Sequence, residues 1–404
     1  MLDHDRWRSA MRVLQTVFGV FHHFELAREL DRRGHLEAIY SSWPWRRLRR
    51  EGLPREKVRT YPWWGLPDYL LGRSRLDLRR VQDWVGVRNA VAFDHWTTRQ
   101  LDEIFRNGRR IDALIGISGS SLRAGQLLQQ HGGVFVCDRG STHQRYQEQI
   151  IAEEYRRWGV DRPVSDERDT VREEAIYAAA DAITVPSSMA RRSFVEMGTP
   201  AAKVHVIPYG VRLEDFRPDG MPPSDEFDVL FVGSAGLRKG LPYLLESFAA
   251  VRAPRKRLRV VGAVQPEMRS VLPRLPQQDV EFLGPRPQAE VARLMSRSHV
   301  LVLPSIEEGL ALVQAQALAC GCPVICSANT GGEDLFSDGV EGFILPVRDV
   351  AGMEICMQRL ADDPELHERM RLAALARVRR IGGWTEYGDR WEALLRHLTG
   401  SGVA

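Results

Sequence analysis

The run Phe231-Val-Gly-Ser-Ala-Gly-Leu-Arg-Lys-Gly240 has the makings of an anion site. An apolar stretch ends there, Gly233 and Gly236 allow tight turns, and a helical pattern opens just after Lys239-Gly240. Free amides and the positive end of a helix dipole favour an anion at such a point. Arg238 and Lys239 add two full charges, so a pyrophosphate fits. A second run, Leu303 to Ala317, reads as a strand end, a loop carrying Ser305, Glu307, Glu308 and Gly309, and then a helix. A carboxylate on that loop can accept bonds from sugar hydroxyls, and amides near Gly309 and Leu310 can point into the same space. Gln316, about two turns into the helix, can bond a ribose or sugar hydroxyl. Taken alone, Glu307 reads as a solvated loop acid. A third run, Val134 to His143, passes from a strand into a glycine loop holding Asp138, Arg139 and Gly140, where an α/β fold places its cleft. His22 and His23 follow Gly19, and His23 shares an apolar helical face, which suits a satisfied, semi-buried histidine.

Two sets of elements must position these groups. Arg12–Gly19 followed by Val20–Arg33, and Asp228–Gly233 followed by Lys239–Val251, each read as strand, glycine turn and helix. His23, Leu26, Ala27 and Leu30 share one face, as do Leu241, Leu244, Leu245 and Phe248. Further strand-like runs are 113–117, 134–137, 182–185 and 204–207, then 258–261, 300–303, 323–326 and 342–345. Their continuous apolar character suits parallel strands covered on both faces. Two such openings predict two Rossmann-like α/β domains. The first spans residues 1–212, a Pro- and acid-containing linker 213–227, and the second 228–383, with a final helix over 384–398.

These ordered motifs resemble the GT-B glycosyltransferases of the large retaining family 4, the glycosyl transferases of group 1. The resemblance rests on Phe-Val-Gly…Lys239-Gly240, Pro304-Ser305…Glu308-Gly309, Ala319-Cys-Gly321-Cys-Pro323, Thr330-Gly331-Gly332 and Asp338-Gly339…Gly342. Ala180-Asp181…Pro-Ser187 and Ile-Pro208-Tyr-Gly210 add to it, and it covers roughly residues 11 to 397. It implies two Rossmann-like domains facing each other across a cleft, with the C-terminal helix crossing back to the first domain. It implies donor contacts from Gly19, Arg238, Lys239, Ser305, Glu308, Gly309, Leu310, Gln316, Gly331, Gly332 and Glu333. It also points to a cleft histidine or aspartate near the transferred sugar, for which His143 and Asp138 are the candidates, with Lys239 and Glu308 completing the catalytic set. Three positions depart from the family pattern. Ser234 stands where an arginine is usual, Gln316 replaces the second glutamate of a Glu-x7-Glu pair, and Thr330-Gly-Gly-Glu-Asp is one residue short. Arg238 is expected to supply the missing charge, and Glu333 or Asp334 the acid.

The implied reaction moves a hexosyl or N-acetylhexosaminyl group from a UDP- or GDP-sugar to a glycan or glycolipid acceptor with retention, in polysaccharide or glycolipid synthesis. No cofactor is expected, and no metal, because the only Asp-x-Asp triplet is Asp3-His4-Asp5, ahead of the first strand. The alternatives are a catalytically silent relative, to which Ser234 and Gln316 point, or an epimerase or phosphorylase on the same fold. Phe18-Gly-Val-Phe-His-His lacks the spacing of a dinucleotide-binding oxidoreductase. In residues 43–64 tryptophans 43, 45, 63 and 64 interleave with seven basic residues, a composition suited to an anionic membrane surface or a lipid-diphosphate. No nucleic-acid motif accompanies them. A net charge of +3, five irregularly spaced cysteines and the lack of a long apolar run predict a cytoplasmic chain, peripheral at most on the membrane's cytoplasmic face.

Overall fold

Runs of β-branched and apolar residues form two wholly parallel sheets in this computed structural model, which describes residues 10–61, 79–162 and 167–400. In chain order the first sheet contains β1 (Val13–Val17), β2 (Leu36–Ser41), β3 (Val58–Thr60), β4 (Ala113–Ile117), β5 (Val134–Asp138), β6 (Ala182–Val185) and β7 (Val204–Val206). The second contains β8 (Phe227–Val232), β9 (Lys256–Val261), β10 (Val280–Gly284), β11 (Val300–Leu303), β12 (Val324–Ser327) and β13 (Gly342–Leu345). Their spatial orders are β3-β2-β1-β4-β5-β6-β7 and β10-β9-β8-β11-β12-β13. Each sheet therefore reverses its winding beside its first strand, at β1 and at β8, and opens a crevice at the strands' carboxyl ends. The loops after β1, β5, β8 and β11 all emerge at such ends.

Burial follows the helical and strand periodicities. His23, Leu26, Ala27 and Leu30 are fully buried in the helix His22–Arg32, and so are Leu241, Leu244, Leu245 and Phe248 in the helix Leu241–Ala250. The stretch treated above as a linker lies against the second domain: Phe216 is buried in that core, and the Asp219 amide donates to Ser296 Oγ at 3.0 Å. The last helix, Trp384–Leu398, sinks Tyr387, Trp391 and Leu395 into the first domain's core. Arg33 pairs with Asp389 at 2.7 Å and His35 meets Glu392 at 3.1 Å across the same contact. Trp63, Trp64 and the Asp3-His4-Asp5 triplet lie outside the described residues.

Candidate active site

On the second domain, Gly240 (φ +68°) brings the phosphate motif against the loop after β11, since a Cβ there would overlap the Pro304 carbonyl. That approach sets Lys239 on Glu308, and the two form an ion pair. Arg238 donates from Nε to Glu307 at 3.0 Å and reaches Glu308 from Nη2 at 3.5 Å. Ser305 Oγ donates to Glu308 at 3.1 Å, which fixes the carboxylate from its own loop. Arg238 and Lys239 keep 42% and 18% of their side chains exposed, so an incoming anion can reach both.

The helix after this loop begins only at Val313 and ends at Ala319. Gly309 and Leu310 therefore belong to the loop and not to a helix start, and Gln316 stands about one turn into the helix rather than two. Its side chain is half-buried. Gln314, two residues before it, takes the structural role: its amide donates to the carbonyls of Ala311 and Thr330, tying the Thr330-Gly331-Gly332 turn to the helix.

Facing these groups, the first domain presents Asp138 at the end of β5. His22 Nε2 lies 2.7 Å from its Oδ2, His23 Nε2 lies 3.2 Å from the same oxygen, and Thr184 Oγ1 donates to Oδ1 at 2.8 Å. Burial alone would raise the Asp138 pKa, but His22, then His23 and Thr184, more than offset it and hold it below the ordinary range. Burial drives His23 the other way, to about 3, so it is neutral, and among the described residues its ring nitrogens make no hydrogen bond. The expectation of a satisfied His23 is thus corrected in one respect: it is buried, but not satisfied. The His22 ring lies tilted by 35° against Tyr209, with ring centroids 4.3 Å apart. Among the described residues, His22, His23 and Asp138 form the one group whose ligand atoms lie close enough, within 4.8 Å, to share a metal ion.

His143 is not in the cleft, contrary to expectation. Its Nδ1 accepts from the Arg145 amide as the cap of the helix Gln144–Arg157, and its ring lies edge-on to Tyr177 and Phe194 at 5.0 Å each. His143 is only 3% exposed and borders a separate hollow of the first domain with Glu174, Met197 and Lys203, and the histidine beside Asp138 is His22 instead. Glu307 is likewise no solvated acid, because its side chain is completely buried. Its oxygens accept from Ser141 and Thr142 at 2.7 Å each and from Gln147 at 2.8 Å, all on the first domain. Glu333 and Asp334 turn to that domain too, pairing with Arg192 at 2.5 Å and with Ser188 Oγ at 2.7 Å. Gly309 completes the contact: a Cβ there would overlap the Gly140 carbonyl, and its own carbonyl accepts from Ser187 Oγ at 2.5 Å. Gly331 packs against Leu310 and Ser187, and Gly332 against Cys326. Gly19 rests on Trp43, whose indole a Cβ would meet at 3.0 Å.

Comparison with known proteins bears on the family and the fold. The family described as Glycosyltransferase Family 4 matches residues 20–215, and the family described as Glycosyl transferases group 1 matches residues 214–377. A D-inositol 3-phosphate glycosyltransferase of Thermomonospora curvata is 31% identical over 258 residues, covering 57% of this chain and 59% of the relative. One of Streptomyces avermitilis is 33% identical over 240 residues, covering 52% and 51%. The matched part is thus between half and three fifths of those relatives' length. Among solved structures, sucrose-phosphate synthase from Thermosynechococcus elongatus superposes with a TM-score of 0.67 at 20% identity, over 96% of this chain and 100% of the other. Anabaena HepE in complex with UDP gives 0.67 at 15% identity, over 96% and 100%.

Proposed function

The chain belongs to the GT-B glycosyltransferases of the group 1 and family 4 type, and from that premise we propose that it transfers a sugar from a nucleoside diphosphate to a glycan or lipid-linked acceptor with retention of configuration. The observation that carries this reading is the pairing of Lys239 and Arg238 with Glu308 on the second domain, opposite the buried Asp138–His22 pair on the first. Breaking the anomeric bond puts negative charge on the diphosphate and oxocarbenium character on the sugar. Lys239 and the Arg238 Nη2 exchange Glu308 for the phosphates, while Arg238 Nε stays on Glu307, and both cations stabilise the departing charge. Glu308, released from Lys239, accepts from the sugar hydroxyls. Asp138, ionised at neutral pH, supplies negative charge on the side where the ring becomes positive. The leaving phosphate takes the acceptor's proton. UDP is the first nucleotide to try, since the HepE structure contains it.

The acceptor side falls to the segment after β2. Arg46, Arg47, Arg49 and Arg50 are exposed there, and the Arg47 guanidinium stacks 3.8 Å over the Trp43 ring. That composition suits a phosphate-bearing acceptor or an anionic membrane surface. The relatives named for D-inositol 3-phosphate use a phosphate-bearing acceptor by name. No described helix is long and apolar enough to cross a membrane. Co-sedimentation with anionic but not neutral vesicles at low salt is the expected result, and equal recovery in both supernatants would remove the membrane from the reading.

The proposal requires no divalent metal. Full turnover in excess chelator is expected, whereas abolition would assign an ion to His22, His23 and Asp138. The central experiment is thermal shift with UDP, GDP, ADP, CMP and TDP on the wild type and on Lys239→Ala. Stabilisation of the wild type alone by one diphosphate supports the site. No shift from any of them favours the second reading, a silent relative, to which Ser234 and Gln316 point.

A further inference from the structure

Two adjacent glutamates on the loop after β11 have opposite surroundings. Glu308 faces Lys239 in the donor site, while Glu307 is buried at the boundary between the domains. A buried carboxylate is costly unless its lone pairs are filled. Those of Glu307 take four donors: Ser141 Oγ, Thr142 Oγ1, Gln147 Nε2 and Arg238 Nε. Three of the four belong to the first domain, so parting the domains would leave the carboxylate with Arg238 and water.

The first-domain donors are themselves held in place. Arg139 donates from Nε to the Thr142 carbonyl at 3.0 Å and from Nη2 to Gln147 Oε1 at 3.0 Å, and it meets Glu173 at 3.3 Å. With its oxygen taken by Arg139, the Gln147 amide has only its NH2 left to offer, and that points at Glu307. Arg139 therefore orients the loop that receives Glu307 and does not contact the donor site itself. The Arg238 charge and the Gln147, Ser141 and Thr142 bonds outweigh burial and keep Glu307 ionised. A charged, fully bonded acid at this point dictates where the Arg238 guanidinium lies.

We infer that Glu307 is a positioning residue that ties the place of Arg238 in the diphosphate site to contact with the first domain. The donor site then acquires its second cation in the right position only when the cleft is closed. The inference rests on the donor reading above and adds the coupling between the domains. A second interdomain contact provides an internal control. Glu154 accepts from Tyr243 Oη and Arg348 Nε at 2.7 Å each, and neither partner touches Arg238.

The test is a double-mutant cycle between Gln147 and Arg238, which share Glu307 as a hydrogen-bond partner. UDP and GDP affinities are measured by calorimetry for wild type, Gln147→Ala, Arg238→Ala and the double variant, with Tyr243→Phe as control. Gln147→Ala is expected to weaken nucleotide binding by roughly three- to tenfold, less than the full worth of one bond to a charged group because Ser141 and Thr142 still hold Glu307. In the Arg238→Ala background it should weaken it no further, while Tyr243→Phe has the same effect in both backgrounds. A Gln147→Ala effect of equal size with and without Arg238, or no effect at all, overturns the inference.

A nucleotide-free measurement separates this from failure of the donor reading. Spin labels on Asn107→Cys and Gln288→Cys, both at exposed positions, report the distance between the domains, the five native cysteines being buried. Glu307→Ala should broaden that distance towards longer values, and Gln147→Ala should do so where Glu307→Ala fails to fold. An unchanged distribution in the folded variants overturns the inference whatever nucleotides bind. A broadened distribution in a protein that binds no nucleotide leaves the latch standing and removes the donor assignment.

Discussion

The two walls of the cleft handle charge differently. On the second domain Lys239 and Arg238 pair with carboxylates but remain partly open to solvent, at 18% and 42% exposure. On the first domain Asp138 and His23 are buried and His22 keeps only 14% of its side chain exposed. Pairs near water are cheap to exchange, because solvent already pays for much of the separated charge. Buried pairs are expensive to disturb. The second-domain wall is therefore built to release Glu308 to a polyanion while Glu307 stays on Arg238, and the first-domain wall to present a fixed charge. Binding should fail when the first is damaged, and chemistry when the second is.

Lys239→Ala is the largest test of that division. Removing the cation that meets the developing diphosphate charge should cost on the order of a hundredfold or more in turnover and abolish the nucleotide-induced thermal shift. The unliganded melting temperature should barely change, since Glu308 keeps Ser305 and Arg238 as partners. Near-wild-type turnover would break the comparison at its root. Asp138→Asn comes next. It preserves the side chain's shape and its Thr184 contact but removes the charge, and it is expected to lower kcat by roughly ten- to a hundredfold. Nucleotide affinity should stay within about twofold, because an interaction made mainly in the transition state leaves ground-state binding alone. A loss of affinity matching the loss of kcat would mean that both walls bind donor.

The second wall could largely be read from the sequence. A short loop between a strand and a helix fixes its own geometry, so Arg238-Lys239 and Ser305…Glu308 were each legible as a motif, although their pairing joins two loops 69 positions apart. The first wall could not, because its contacts join distant parts of the chain. Glu307 meets Thr142 across 165 positions, and no local pattern separates it from a solvated loop acid. His143 failed for a related reason: the cap that turns it inward is local, but the Tyr177 and Phe194 rings that receive it come from other helices. The strands expected in each half formed within a residue or two. The edge strands β3 and β10 were not anticipated, because short, partly exposed strands lack the long apolar runs of buried ones, and β2 was missed because Glu37 interrupts its apolar run although the strand is buried.

His143 allows a smaller test that separates folding from catalysis on the first wall. Burial, more than the nearby Arg139 and Arg145 charges, lowers its pKa to about 4. Between that value and its ordinary 6.5, the unfolded chain binds a proton that the folded chain refuses. Its stabilising share is thus complete above pH 6.5 and shrinks as pH falls towards 4. The loss is at most about 1.4 kcal/mol per pH unit. His143→Asn keeps a cap acceptor, so the melting temperature at pH 7.5 should match the wild type. At pH 5 the variant should lose less, by about 1–2 kcal/mol. Turnover should be unchanged within about twofold. A large fall in kcat would return His143 to the chemistry and blur the distinction between the walls.

The smallest effect is expected at Gln316, on the second wall but away from the phosphates. Its side chain makes no hydrogen bond among the described residues, so substitution costs the fold nothing that can be identified. A glutamate there would accept from two ribose hydroxyls where the amide accepts one and must turn its NH2 elsewhere. The ribose carries no charge that changes during the reaction, so a better ribose contact strengthens ground and transition states alike. Gln316→Glu should therefore lower the donor KM by roughly two- to fivefold with kcat within about twofold of wild type. The melting temperature should not move. If kcat rises while KM stays put, the helix Val313–Ala319 reports on the reacting sugar as well as the nucleoside, and the second wall is not a binding surface alone. If KM rises, the added charge is working against Glu308, and the amide at this position is an adjustment to the acidic pair on the neighbouring loop.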